Sequence, residues 1–377
     1  MIPLCVPHLG GNEGRYLQEC VDSTFVSSVG PFVDRLATMT ALAAGAVTAV
    51  PTASGTTGLH LALAALGIGQ NDLVVLPSFT FIASANAISH CGAKPWLMDI
   101  DPVSWTLDPI LLEVTLEAET EQRGGVLRHK ATGARVAAIM PVYTLGQPAD
   151  MDAICAVAAR FGLPVVADAA AAIGSTYKGR PPGQMGALLS VFSFNGNKTV
   201  TSGGGGAVFG NDTDLLAHAA HLSSTARAGT AYSHDRVGFN YRMTNLEAAV
   251  GCAQLEQLDG FIAAKRRIRA RYDQAFGGMV GVGLFPDPEW AESACWFSGL
   301  VLDRPAPPVC AALREDGIEA RPFWMPVHLQ APYKTCPTTP MPVAERIWDR
   351  VITLPCSTNL GIEDQDKVIG SLKRILA

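Results

Sequence analysis

From residue 46 the chain repeats one pattern, a short unbroken apolar run followed by a helical stretch. That repeat restricts the fold more than any other feature. Val47–Pro51 reads as a strand, Leu59–Leu66 as a helix closed by Gly67, Leu73–Pro77 as a strand, Ile82–His90 as a helix and Pro95–Ile100 as a strand. Val136–Pro141 and Pro164–Asp168 are further strands around the helical Asp152–Phe161, and the runs Leu189–Phe194 and Gly206–Phe209 follow. Strands that are apolar at every position, rather than at alternate ones, are buried on both faces. The helices between them supply the crossovers that parallel strands need. The sequence therefore predicts an α/β fold whose central sheet is mostly parallel and covered by helices.

The pattern has one interruption and one end. Glu117–Ala134 carries charge and two consecutive glycines, which predicts an exposed loop or hairpin. A long helical stretch from about Thr244 to Phe276 is expected to break near Gly260. Beyond it, a strand around Trp296–Leu302, a helix at Pro308–Asp316 and a closing helix at Asp364–Leu376 predict a smaller α+β domain. We place the division at residue 257, giving a large domain 1–257 and a small C-terminal domain 258–377, with the N-terminal segment free to pack on the small one.

Composition narrows the class of function. With 48% hydrophobic and 16% charged residues the chain has the makings of an ordinary packed core. A net charge of -6 and the lack of a sustained basic stripe argue against a nucleic-acid surface. The densest basic run, Lys265-Arg266-Arg267 with Arg269 and Arg271, reads as the solvated face of a helix. Nine cysteines, none spaced C-x-x-C, fit free thiols in a reducing compartment better than disulfides or zinc, and no metal is expected. Neither a basic segment followed by an apolar one at the N-terminus nor an apolar stretch of about 20 residues is present, so a cytoplasmic protein outside the membrane is expected.

Three pieces carry chemistry, and each has a plain alternative. Ser54-Gly55-Thr56-Thr57 lies between a strand and an apolar helix, where unpaired amides and the helix dipole favour an anion such as phosphate. The plain reading is an N-cap. Asp168 ends the strand Leu163-Pro164-Val165-Val166-Ala167, at the edge where open α/β sheets bind ligands. A carboxylate there can pair with a protonated pyridine nitrogen, or merely cap a helix beginning at Ala169–Ala172. Lys198, in Ser193-Phe194-Asn195-Gly196-Asn197-Lys198, precedes the four glycines Gly203–Gly206. An amine on a turn beside a sheet can condense with an aldehyde, although most lone lysines are surface residues. Together the three supply what pyridoxal phosphate needs. A fourth piece, Gly238-Phe239-Asn240-Tyr241-Arg242-Met243 ahead of Thr244, reads without context as an aromatic anchor beside a helix start.

The order and local sequence of these pieces resemble the nucleotide-sugar aminotransferases of the DegT/DnrJ/EryC1/StrS family, which have the fold-type-I pyridoxal-phosphate architecture. The similarity runs from Pro7–Val33 through Ser54–Leu63, Pro77–Asn86, Ser193–Lys198 and Gly238–Asn245 to Arg321-Pro322-Phe323-Trp324 and His328. The resemblance implies that Lys198 holds pyridoxal 5'-phosphate as a Schiff base and shuttles the proton, and that Asp168 pairs with the ring nitrogen. It implies that Gly55, Thr56, Thr57 and Ser193 bind the phosphate and that Phe81 packs on the ring. It also implies a homodimer, with Asn240 reaching the neighbour's phosphate. Ser27, Ser28, Tyr143, Trp324 and His328 become substrate-binding candidates. The implied reaction passes through pyridoxamine phosphate, with glutamate as donor and a nucleotide-linked 4-keto-6-deoxy sugar as acceptor. The subgroup it most resembles uses a UDP-linked N-acetylhexosamine. The perosamine enzymes, which use a GDP-linked 4-keto-6-deoxymannose, are also similar, and a non-catalytic relative that kept the fold is the alternative from another class.

Three departures stand out. The family's Gln or Glu after Asp-Ala-Ala is replaced by Ala171, its Pro-Val-His reads Pro141-Val142-Tyr143, and Glu117–Ala134 is long. A related dehydratase branch has histidine at the lysine position, which Lys198 argues against. A nicotinamide enzyme would show a strand–G-x-G-x-x-G–helix unit, which is missing near the start.

Overall fold

The computed structural model describes residues 1–229 and 232–377. Two helices that the strand–helix repeat did not reveal open the chain, α1 (Glu13–Ser23) and α2 (Pro31–Ala44). The alternation then runs β1 (Thr48–Thr52), α3 (Gly55–Ala65), β2 (Asp72–Pro77), α4 (Ile82–His90), β3 (Lys94–Met98) and α5 (Pro109–Glu119). The charged excursion is a hairpin, β4 (Thr120–Arg123) and β5 (Val126–His129), turning at Gly124-Gly125. After it come β6 (Arg135–Ile139), α6 (Met151–Phe161), β7 (Val166–Asp168), the short β8 (Thr176–Tyr177), β9 (Leu189–Ser193), β10 (Gly206–Gly210) and α7 (Thr213–Ser223). Two short strands, β11 (Arg227–Ala228) and β12 (Ser233–His234), pair before the next helix.

β1, β10, β9 and β7 lie side by side, and single parallel bridges, Ile139↔Val165 and Val142↔Asp168, continue the sheet to β6, β2 and β3. In that order only β10 runs against its neighbours; the other strands are parallel. The sheet is thus mixed but mostly parallel. Its strands send alternate side chains to two apolar layers. Val191, Val208, Val74 and Leu76 pack under α3, α4 and α7, while Phe192, Phe209, Leu73 and Val75 join Trp96 and Tyr177 on the opposite face. Burying both faces explains the unbroken apolar runs, and each large side chain so covered contributes about 1.5–3 kcal/mol.

The C-terminal third begins with α8 (Asn245–Leu255) and α9 (Leu258–Phe276). These helices break at Glu256-Gln257, not at Gly260, which is an exposed residue inside α9. The break follows from contacts with the first helices. Glu256 accepts hydrogen bonds from Tyr16 (2.6 Å) and Asn12 (2.7 Å), and Gln257 donates to Glu13. A helical glycine costs only about 1 kcal/mol, so it does not force an end.

The basic run on α9 also needs correction. Lys265 is 1% exposed and Arg269 is buried, because they share the inward stripe of Phe261, Ile268, Tyr272 and Phe276; Arg267 faces solvent.

An antiparallel sheet, ordered β13 (Val282–Leu284), β15 (Ser298–Leu302), β17 (Val351–Leu354) and β16 (Arg321–Pro322), packs with α10 (Ala306–Glu315), α11 (Pro342–Ile347) and α12 (Ile362–Leu376). β14 (Ala291–Glu292) reaches back to pair with β8. The start of the chain adheres to this part. Ile2 exchanges backbone bonds with Gly317 and Glu319, and Leu4 accepts from Cys356 at 2.8 Å. No helix among the described residues is long and apolar enough to cross a membrane.

Candidate active site

A cavity of about 560 Å³ opens at the C-terminal ends of β7 and β9, between the central sheet and the C-terminal part. Three sequence pieces converge on it: Gly55 and Thr56, Asp168, and Ser193 with Lys198.

The first wall is the start of α3. Ser54 is an extended N-cap whose Oγ accepts from the Thr57 amide (3.0 Å), while the Thr57 hydroxyl accepts from the Ser54 amide (2.9 Å). This capping box consumes Thr57, whose side chain does not line the cavity. The amides of Gly55 and Thr56 have no intrahelical acceptor, and they face the cavity beside Ser193. Backbones meet closely here. A Cβ on Gly206 would sit 2.7 Å from the Gly55 nitrogen and 2.6 Å from the Phe192 carbonyl, and a Cβ on Gly55 would sit 2.8 Å from Ser193 Cβ. Those contacts, and not flexibility, require the glycines. The result is a concave patch of donors at the positive end of a helix dipole, suited to a phosphate.

Asp168 is 6% exposed at the end of β7. Its Oδ2 accepts from Ser84 Oγ at 2.7 Å, Oδ1 accepts from the Ala170 amide at 3.1 Å, and Ser84 in turn contacts Thr80 Oγ1 at 2.9 Å. Ala169–Ala172 is a turn and not a helix, so Asp168 caps no helix. Burial raises the carboxyl above its ordinary range, against the pull of the Ser84 and Ala170 bonds and the Lys198 charge. The chain before this strand does not show Ser84, on α4, as its orienting partner.

Lys198 sits on a turn after β9, its amide bonded to the Asn195 carbonyl at 2.9 Å. Its ammonium nitrogen lies 3.6 Å from the centre of the Trp296 ring. Burial brings the amine down to about 8, with the Asp168 and Cys5 charges opposing. A fraction of it is therefore neutral and nucleophilic near neutral pH. Trp296 also donates from Nε1 to the Asn197 carbonyl at 2.7 Å, which fixes the residue ahead of Lys198. Sequence reading placed Trp296 only at a strand start; nothing local marks its role.

The remaining candidates divide. Phe81 and Trp324 line the cavity with ring centres 5.7 Å apart, and Phe81 is 52% exposed at its rim. Tyr143 also borders the cavity, yet its hydroxyl is buried with no hydrogen-bond partner among the described residues, and burial pushes the phenol up. His328 is outside, joining Ser78 (2.6 Å) to Glu345 (3.2 Å). Ser27 and Ser28 lie in the loop between α1 and α2, and Asn240 is exposed beside a bridge to Ser224; none of the three lines the cavity of its own chain. Ala171 does line it, leaving an apolar patch where a longer polar side chain would point. Residues the sequence reading missed are Cys5, Glu319, Arg321 and Thr353 at the wall contributed by the C-terminal sheet. Arg321, largely exposed, pairs with Glu319 at 2.5 Å.

A profile of the DegT/DnrJ/EryC1/StrS aminotransferase family matches residues 7–373. The chain belongs to that family. It is 38% identical to the GDP-perosamine synthase of Caulobacter vibrioides over 100% of this chain and 98% of that one. Among solved structures it is similar to a DegT DnrJ EryC1 StrS aminotransferase from Brucella abortus, with 29% identity, a TM-score of 0.89 and coverage of 97% of this chain and 95% of that one. A sugar aminotransferase of Streptococcus pneumoniae in its PMP form gives 25% identity, a TM-score of 0.89 and coverage of 100% and 99%. The protein is a fold-type-I aminotransferase dependent on pyridoxal phosphate, acting on nucleotide sugars. The site suits that cofactor: free helix-start amides for a phosphate, a buried carboxylate for a ring nitrogen and a partly neutral amine for an aldehyde share one cavity.

Proposed function

We propose that this chain transfers an amino group from glutamate to C4 of a nucleotide-linked 4-keto-6-deoxy sugar, working in the cytoplasm as a homodimer. The single observation that carries this reading is the convergence of Lys198, Asp168 and the Gly55–Thr56 amides on one cavity of about 560 Å³. In this reading Gly55, Thr56 and Ser193 hold the phosphate, Asp168 faces the pyridine nitrogen, Lys198 engages the aldehyde and Phe81 covers a ring face. Pyridoxal phosphate, when bound, supplies an aldehyde for amines and a ring that withdraws electrons from the adjacent carbon.

The protein's own groups do the rest. Asp168, ionised, favours a protonated ring nitrogen, and its two hydrogen bonds keep it oriented. Lys198, as a free amine at the cavity wall, would take and hold the α-proton of a bound amino donor; a positioned base of this kind is worth about 10²–10⁴-fold. Trp296 fixes the backbone before Lys198 and gives the ammonium a π-face. Arg321, at the rim, is placed to meet the carboxylate of the donor or the diphosphate of the sugar nucleotide.

The dimer is supported by apolar surface left open on one chain. Tyr232 is 91% and Val237 89% exposed near Asn240, and Phe25, Val26 and Val29 are exposed around Ser27 and Ser28. A partner covering these would bring Asn240 to the other chain's phosphate, and the two serines toward its sugar. The division of the chain at residue 257 belongs to the same reading.

The sequence resemblance favours a UDP-linked N-acetylhexosamine, whereas the relative named GDP-perosamine synthase favours a GDP-linked 4-keto-6-deoxymannose. Mixing the pyridoxamine form with UDP-, GDP- and dTDP-linked 4-keto sugars decides between them, because only the substrate restores the absorbance of the pyridoxal form. Failure of every keto sugar, with glutamate still converting the cofactor, overturns the sugar acceptor.

A further inference from the structure

Below the cavity lies a buried cation that has no carboxylate beside it among the described residues. Lys265 Nζ donates to the carbonyls of Trp296 (2.9 Å) and Cys356 (2.7 Å), and its remaining proton points between Cys5 Sγ (3.6 Å) and Cys356 Sγ (3.7 Å). An ammonium so enclosed is costly without a counter-charge, and among the described residues in contact with it these two sulfurs can supply one. Burial alone would raise the Cys356 thiol; the Cys5 hydrogen bond and the Lys265 charge outweigh it and hold Cys356 below its ordinary range. The bond to Cys356, together with burial, pushes Cys5 up.

The backbone sets the two sulfurs side by side. Cys356 N–H donates to the Leu4 carbonyl at 2.8 Å, and Val6 N–H donates to Ser357 Oγ at 3.0 Å, so segments 4–6 and 356–357 run together. Cys356 is fully buried, while Cys5 opens on the cavity that contains Lys198. The single Cys5 proton can turn instead to the Asn197 carbonyl, 3.4 Å away, the acceptor that Trp296 Nε1 uses. The cluster therefore touches both supports of Lys198: the backbone ahead of it and the tryptophan beneath its amine.

We propose that Cys5 and Cys356, gathered around Lys265, are a reversible oxidation site through which hydroperoxides entering the cavity lower turnover. The chemistry balances within the cluster. The Cys5 proton passes to Cys356, and the Cys5 thiolate attacks a peroxide oxygen; an S–O bond forms, the O–O bond breaks and hydroxide leaves. Hydroxide takes a proton from Lys265, which no longer has an anion beside it. The Cys356 thiol then attacks the Cys5 sulfur, forming the S–S bond and releasing the second water. Two sulfurs are oxidised by two electrons in total, and one peroxide becomes two waters. Lys265 is left neutral, and the Asn197 carbonyl loses its sulfur donor. Loss of one weak bond of that kind predicts about a three- to tenfold fall in turnover.

The test treats the holoenzyme with one equivalent of hydrogen peroxide and maps non-reduced peptides by mass. A Cys5–Cys356 linked peptide is expected before any other of the nine cysteines is modified, with turnover falling in step and recovering under dithiothreitol. Cys356→Ser is expected to abolish the linkage and the reversible loss, leaving Cys5 to stop at a higher acid. Free, alkylatable Cys5 and Cys356 at a stage when the partly exposed Cys91 or Cys336 is already oxidised would overturn the site. A linked peptide with unchanged turnover would overturn the control of activity. The mapping does not depend on the role proposed for Lys198, so its failure and the failure of that role are separable.

Discussion

Ser84→Ala removes a side-chain hydrogen bond that orients Asp168 and favours its charged form. Ser84 Oγ donates at 2.7 Å to an almost fully buried carboxylate, and a bond to a charged group is worth about 1.5–3 kcal/mol. Its loss removes a bond that lowers the Asp168 carboxyl and so raises that carboxyl further above its already elevated position. The sign follows from the ionised form being the useful one. The acid limb of the glutamate half-reaction, followed by cofactor absorbance in single-turnover mixing, moves to higher pH, while its plateau at alkaline pH stays near wild type. Stability gives a second reading. Because burial raises the folded-state carboxyl, its ionisation opposes folding above the ordinary carboxylate range, and losing Ser84 worsens this. In urea titrations of the cofactor-free protein, the deficit should be about 1.5–3 kcal/mol at neutral pH and shrink as pH falls through the raised folded value. A variant with an unshifted acid limb, or a deficit equally large in acid, would show that Ser84 acts only through packing.

Gly206→Ala drives a Cβ into the Gly55 nitrogen and the Phe192 carbonyl, both backbone, and should cost about 1–3 kcal/mol in denaturant titration together with cofactor retention. A normal stability and spectrum would mean that the cradle has slack. In the cofactor-free protein Lys198 should react with an amine-selective reagent at half its maximal rate near pH 8, faster above it; a midpoint near that of surface lysines would refute the desolvated amine. Mixed dimers of Lys198→Ala with Asn240→Asp should regain some activity under subunit exchange, because one site would combine an intact Lys198 with the other chain's intact Asn240. No recovery, or an active monomer, would place Asn240 in its own chain's chemistry.

How much was legible follows from where the determining contacts lie. The strands and crossover helices announced themselves because burial on two faces forces continuous apolar runs, as in Leu73–Pro77 and Leu189–Phe194. An N-cap within Ser54-Gly55-Thr56-Thr57 was visible, but not that a reciprocal capping box would consume Thr57. Trp296 was opaque for a different reason: its partner Asn197 is 99 residues away, and only the packed fold pairs them. Lys265 misled because a lysine in a basic run looks solvated, although its spacing from Phe261, Ile268 and Tyr272 puts it on the apolar stripe. Ser27, Ser28 and Asn240 lie outside the cavity of a single chain, and the roles proposed for them rest on a second copy.

The central claim is that Lys198 is the covalent anchor of the cofactor. Borohydride reduction of the holoenzyme, followed by digestion and mass mapping, fixes the amine–aldehyde linkage where it stands. The account predicts a phosphopyridoxyl group on the peptide containing Lys198 and on no other lysine. Its appearance on a different lysine, with Lys198 unmodified, would contradict the account.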